Sequence, residues 1–183
     1  DNNITVLDGK TYEVVKRIGT EARPRHLQFN PDKTQIYAAA GDGNAIDVID
    51  VAKLELVDRI GEIDDPELFD LSPDGKTMYI SLEDDGALGI LNLEEYFAKR
   101  EAKPDLKVAE AAPAGKTDEA ADDDADEGEA KDGAAKADED DEELPGMSKV
   151  EVGEEPEGIL VSPDGKIAYV TSEVANTVHV VDT

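Results

Sequence analysis

Residues 66–92 read PELFDLSPDGKTMYISLEDDGALGILN, and this stretch decides the fold. At its centre stands Ser72-Pro73-Asp74-Gly75-Lys76. Proline presets φ at the second position of a turn, and glycine supplies the backbone freedom that closes it. Leu68, Phe69 and Leu71 precede the turn; Met78, Tyr79 and Ile80 follow it. Apolar β-formers on both sides of such a turn predict a hairpin. A second polar break, Glu83-Asp84-Asp85-Gly86, leads into a predicted third strand over residues 88–91.

Working outward, the same stretch recurs in register. The turn returns as Asn30-Pro31-Asp32-Lys33 upstream and Ser162-Pro163-Asp164-Gly165-Lys166 downstream, at steps of 42 and 90 residues. Tyr37, Tyr79 and Tyr169 keep those steps, as do Pro24, Pro66 and Pro156. The strand-ending residues Asp8, Asp50, Asn92 and Asp182 step by 42, 42 and 90. A 42-residue unit with one insertion of about 48 residues accounts for all four series. Periods of about 40–45 residues with four strands per unit are the signature of a propeller.

The predicted strands then fall into groups of two, four, four and three. The fold class is all-β, a β-propeller of four-stranded antiparallel blades, with about three and a quarter blades in this chain. Third strands carry Ile4, Ile46, Leu88 and Val178 on one face, and Leu7, Ile49, Leu91 and Val181 on the other. Apolar residues on both faces suit a sheet covered on both sides. A ring closes with about four to eight blades. The chain is therefore expected to belong to a longer propeller, or to pair as a homodimer that completes one ring. The predicted organisation is propeller over 1–92, an acidic insertion over 93–148, and propeller again over 149–183.

Composition bounds the rest. Aromatic residues are 4% of the 183, so the core is expected to be built from Val, Ile, Leu and Ala. Without cysteine there is no disulfide framework, thiolate metal site or cysteine nucleophile. No apolar run reaches the length of a membrane-spanning helix. The formal net charge of −28 opposes binding to nucleic acid and anionic membranes and favours basic proteins and divalent cations.

The insertion opens with Leu93-Glu94-Glu95-Tyr96-Phe97-Ala98-Lys99-Arg100-Glu101, helix formers with acids first and bases later. From Ala109 to Glu143 come sixteen acids against three lysines, too polar to bury a core, so this low-complexity loop is expected to be disordered. Asp122, Asp124 and Asp126 have the spacing that opens a Ca²⁺-binding EF-hand loop. Glu127 stands where that loop needs glycine, and Gly133 where it needs glutamate, so they remain weak metal candidates. Removing residues 109–143 still leaves 30 acids against 15 bases, so the acidity is general and favours an extracellular or salty setting.

Pro66-Glu67-Leu68-Phe69, Ser72-Pro73-Asp74-Gly75-Lys76, Pro156-Glu157-Gly158-Ile159 and the run Tyr169-Val170-Thr171-Ser172-Glu173 to Asn176 resemble the YVTN β-propeller repeats. Within these, the chain is most similar to the periplasmic propeller family associated with PQQ-dependent alcohol catabolism. Surface-layer propellers and the haem-d1 propeller of nitrite reductase are similar at greater distance. The resemblance implies a periplasmic or extracellular propeller of seven or eight blades, accessory to quinoprotein oxidation, with no established catalytic residues. No signal peptide stands in this sequence; Asp1 is followed directly by a predicted strand, which leaves open one already removed. Haem or PQQ as cofactor enters only through this resemblance. The acidic insertion and the blade count depart from the pattern.

The connector into each innermost strand is expected at one mouth of the propeller's channel, where loops from every blade converge. This places Arg25, His26, Glu67 and Glu157 as candidate residues for binding a ligand or partner. Capping and solvated charge would explain the same residues. His26 aligns with Leu68 and Gly158, so the repeat does not require it, and it is the candidate haem ligand. His179 aligns with Thr5, Asp47 and Gly89 and reads as an accommodated side chain. There is no Gly-rich phosphate loop, G-x-S-x-G or H-E-x-x-H. The expected function is a non-catalytic, extracytoplasmic binding or scaffold module for a basic cytochrome or a quinoprotein dehydrogenase. The alternatives are a channel enzyme of lactonase or haem-d1 type and a surface-layer structural module.

Overall fold

The computed structural model describes residues 2–100, 106 and 144–183. Thirteen strands and one helix appear among them, in the order β1 (Asn3–Leu7), β2 (Val14–Gly19), β3 (Pro24–Phe29), β4 (Gln35–Ala40), β5 (Ala45–Asp50), β6 (Glu55–Gly61), β7 (Pro66–Leu71), β8 (Thr77–Leu82), β9 (Ala87–Asn92), α1 (Leu93–Lys99), β10 (Met147–Glu151), β11 (Pro156–Val161), β12 (Ile167–Ser172) and β13 (Thr177–Asp182). They form four antiparallel sheets, β1-β2, β3-β4-β5-β6, β7-β8-β9-β10 and β11-β12-β13, each strand bonded to its neighbours in sequence. The groups of two, four, four and three match the repeat read from the sequence.

The Ser-Pro-Asp-Gly turn serves two purposes. Locally, Gly75 N donates to the Ser72 carbonyl at 2.8 Å, Ser72 Oγ to Asp74 at 2.7 Å, and Gly75 takes φ +71°. Between blades, the position a Gly75 side chain would fill lies 2.6 Å from Cδ of Pro31 in the preceding turn. Gly165 stands against Pro73 in the same way at 2.9 Å. Successive turns therefore stack glycine on proline, which only a residue without Cβ allows.

Three apolar layers lie between the sheets. Ile18, Ala38 and Ile49 join the first two, with Ile4 and Val6 packed against them. Tyr37, Ile46, Val48, Phe69, Met78, Ile80 and Leu91 join the second and third. Tyr79, Leu88, Val161, Ala168 and Val170 join the third and fourth. Each Val, Leu, Ile, Phe or Met among them contributes about 1.5–3 kcal/mol when fully buried. The two middle sheets are covered on both faces, as their third strands predict. The outer face of the last sheet is open: Tyr169 is 39% exposed and Val180 63%, whereas the repeat-equivalent Tyr79 is 5% exposed.

Three boundaries differ from the sequence reading. The fourth strand of the third sheet starts at Met147, not Lys149, because Met147 pairs opposite Leu91 and buries its side chain. Val152 falls just beyond it, its N–H donating to the Gly86 carbonyl at 3.0 Å. The helix ends at Lys99, where the Arg100 N–H closes on the Tyr96 carbonyl. Its start is capped by Asn92, whose side chain accepts from Glu95 N at 2.9 Å. Glu101, Asp122, Asp124, Asp126 and the acidic low-complexity run lie outside the described residues.

Candidate functional site

First strands of successive blades approach one another, β7 touching both β3 and β11. Each enters its sheet with an irregularity at the same place. Pairing slips between Pro24 and His26 in β3, between Pro66 and Phe69 in β7, and between Pro156 and Ile159 in β11. Such bulges lift residues out of the ladder and re-aim their side chains. The residues lifted are Arg25, Glu67 and Glu157, at one position of the repeat. Their freed backbone is held by side chains: Leu68 N donates to Ser81 Oγ at 2.9 Å and Gly158 N to Thr171 Oγ1 at 2.8 Å. The Ser81 hydroxyl also lies 2.8 Å from the Glu157 carbonyl, so it bridges two blades.

At this end the charges converge on Glu67, whose side chain is fully buried. Arg25 Nη1 bonds its Oε1, and Arg23 Nη2 stands 3.4 Å from the same oxygen. Arg23 Nη1 also reaches Asp42 at 3.3 Å and Asp65 at 3.6 Å, and Arg25 Nη1 lies 3.9 Å from Glu83. The carboxylate oxygens of Asp65, Glu67 and Glu83 lie within 4.8 Å of one another. Burial, with the neighbouring Glu83 carboxylate, pushes the Glu67 carboxyl up to about 7 against the pull of Arg25. Burial also raises Asp65 and Glu157 above the usual carboxylate range.

Of the residues expected here from sequence, Arg25 and Glu67 are in direct contact. Glu157 lies close enough for the Arg25 charge to act on it. His26 points elsewhere, its ring edge-on to Phe69 with centroids 4.8 Å apart. Burial there holds it below the ordinary histidine range. His179 Nε2 is engaged with Thr177 Oγ1 at 2.9 Å. These are the chain's two histidines.

Sequence reasoning missed Arg23, Asp65 and Glu83. A signal was present: Arg23, Asp65 and Glu155 each precede a repeat proline, at steps of 42 and 90. All three adopt the left-handed region, with φ of 57°, 34° and 51°. Such conformations cost of order 1–3 kcal/mol each and gather at sites that over-determine them. Beside this cluster is a groove of about 360 Å³ lined by Glu83, Asp84, Asp85, Gly86, Glu154 and Glu155.

Known structures share this arrangement of sheets. Hydrazine synthase from Kuenenia stuttgartiensis matches over 99% of this chain and 40% of its own, with TM-score 0.65 and 15% identity. A 6-phosphogluconolactonase-like protein from Bacteroides uniformis matches over 99% and 44%, with TM-score 0.61 and 16% identity. The fold is a β-propeller. A second 6-phosphogluconolactonase-like protein, from Bacteroides fragilis, matches this propeller chain over 87% and 34% of its own length, with TM-score 0.52 and 18% identity. The chain spans less than half the length of each of these structures. No protein-family profile and no curated protein matches it.

Proposed function

We propose that this propeller chain is a non-catalytic binding module that works outside the cytoplasm and presents its acidic loop end to a basic protein. The observation that carries this reading is the groove whose lining, apart from Gly86, is wholly carboxylate. It opens beside Asp65 and Glu67, on a chain whose formal charge is −28. Such a field steers a cationic partner and suppresses anionic ones. The resemblance to periplasmic propellers of PQQ-dependent oxidation supplies the class of partner, a basic cytochrome or a quinoprotein dehydrogenase.

The test uses a basic c-type cytochrome as probe, titrated calorimetrically at about 0.01 M and about 0.15 M ionic strength. Binding should weaken steeply with salt and fall further in a variant carrying Asp84→Asn, Asp85→Asn, Glu154→Gln and Glu155→Gln. Affinity indifferent to salt would refute the electrostatic reading. A second reading, a propeller lactonase, rests on the contact between Arg25 and buried Glu67 on adjacent first strands. There, turnover of a sugar lactone should be present and should vanish with Arg25→Ala and Glu67→Ala combined.

A further inference from the structure

We propose that Asp65, Glu67 and Glu83 form a binding site for one hard divalent cation, Ca²⁺ in preference to Mg²⁺. The cluster is acidic, and a further observation points to a ligand. Asp65 Oδ1, Glu67 Oε2 and Glu83 Oε2 are each buried without a hydrogen-bond partner. Asp65 Oδ1 and Glu83 Oε2 have only long ion pairs, to Arg23 at 3.6 Å and Arg25 at 3.9 Å, and buried oxygens satisfied so weakly call for a water or an ion. Glu67 is the central case: both arginines attach to its Oε1 and leave Oε2 unbonded.

Gly41 seats the cluster. A Cβ on Gly41 would stand 2.5 Å from Asp65 Oδ1 and 3.5 Å from Glu67 Oε1. Gly41 does not adopt positive φ, so the turn does not require glycine for its backbone. The missing side chain instead makes room for the Asp65 carboxylate itself, with Arg23 Nη1 also 3.5 Å from that position. Gly41 occupies the repeat position held by Glu83 and Glu173 in the later blades, so a larger residue is the norm there.

Ligand chemistry selects the ion. All three donors are carboxylate oxygens, which suit hard cations. Two oxygens on opposite sides of a Ca²⁺ at about 2.4 Å are about 4.8 Å apart. The three oxygens lie within 4.8 Å of one another, so one ion can touch all of them. Mg²⁺ demands near-ideal octahedral geometry and sheds its waters reluctantly, so a cage of protein carboxylates suits it less than Ca²⁺. Arg23 and Arg25 limit the affinity, since both already stand against Glu67 Oε1. The inference stands apart from the protein-partner reading and survives its failure.

The experiment is calorimetric titration of the full chain, stripped of metal, with CaCl₂ and MgCl₂ at about 0.15 M salt to screen the diffuse acidity. One saturable Ca²⁺ site is expected, with Mg²⁺ weaker. Asp65→Asn with Glu83→Gln should weaken Ca²⁺ binding at least tenfold. Glu13→Gln with Glu151→Gln removes as much charge from exposed positions and should leave it unchanged. Gly41→Ala alters no charge but displaces Asp65 Oδ1, and should also weaken binding, which keeps the test valid if the double variant fails to fold. Equal loss in both charge-matched pairs, an unaffected Gly41→Ala, or no saturable step would overturn the site.

Discussion

Arg25 and Glu67 occupy the same position of successive repeats, 42 residues apart, and Arg25 Nη1 is bonded to Glu67 Oε1. A second rung runs parallel: Gln28 Nε2 donates to Asp70 Oδ1 at 2.7 Å, also across 42 residues, and Asp70 Oδ2 accepts from Val161 N at 2.8 Å. Neighbouring first strands are thus joined by polar rungs at equivalent positions, and the cation of one rung meets the buried anion of the next blade.

The first prediction concerns pH. The Glu67 carboxyl is raised to about 7 from an ordinary value of 4.5, so between these values the folded chain holds a proton that the unfolded chain releases. The resulting stability is fully present below the ordinary range and is lost as pH rises through about 7. Asp65 and Glu157 shift in the same direction. In the presence of a chelator, Tm of the natural chain should fall relative to Glu67→Gln between about pH 5 and about pH 8. A constant difference in Tm across that range would mean Glu67 is not desolvated.

The stacked turns give a second prediction. Gly75→Ala places a methyl against Pro31 at positive φ, and should cost about 1–3 kcal/mol in urea denaturation. Gly9→Ala, with nothing within 4 Å of its Cβ position, should be close to neutral.

A buried ion network ties the first sheet to the second. Arg59 Nε donates to Asp47 Oδ1 at 2.6 Å, Arg59 Nη1 meets Glu21 at 2.5 Å, and Asp47 Oδ2 accepts from Glu21 N at 2.9 Å. Asp47 is fully buried in the middle of β5. Asp47→Ala removes the buried carboxylate to which Arg59 Nε donates and should cost about 3–5 kcal/mol, read from the denaturation midpoint.

Repeat-equivalent residues should respond oppositely to charge. Val48 is 1% exposed between the second and third sheets, while Val180 faces outward on the last. Val48→Lys should prevent stable folding, because an unpaired ammonium cannot be buried there. Val180→Lys should stay within about 0.5 kcal/mol of the parent by thermal unfolding in this chain. Equal destabilisation of both would contradict the order of sheets described here.

Most of the candidate site was legible only in part. The bulged positions of Arg25, Glu67 and Glu157 follow from the repeat, because one turn-and-proline pattern sets the entry of every first strand. His26 was legible as a residue the repeat does not require, while the edge-on contact of its ring with Phe69 was not. Asp65 carried a signal in its place before a repeat proline, but Glu83 could not be chosen from a chain with 46 acids, where a carboxylate carries no information by itself.

The sequence alone determined the 42-residue unit, its strands and its turns, because those depend on local φ preferences and on apolar spacing within one blade. Tertiary structure alone decided which charges lose water and which apolar faces are covered. Glu67 is buried because another blade's arginine and its own neighbouring loops close over it, and Tyr169 is open while Tyr79 is buried because only the latter has a sheet packed against it. Burial is a property of what lies across the gap, and one repeat cannot encode its neighbour.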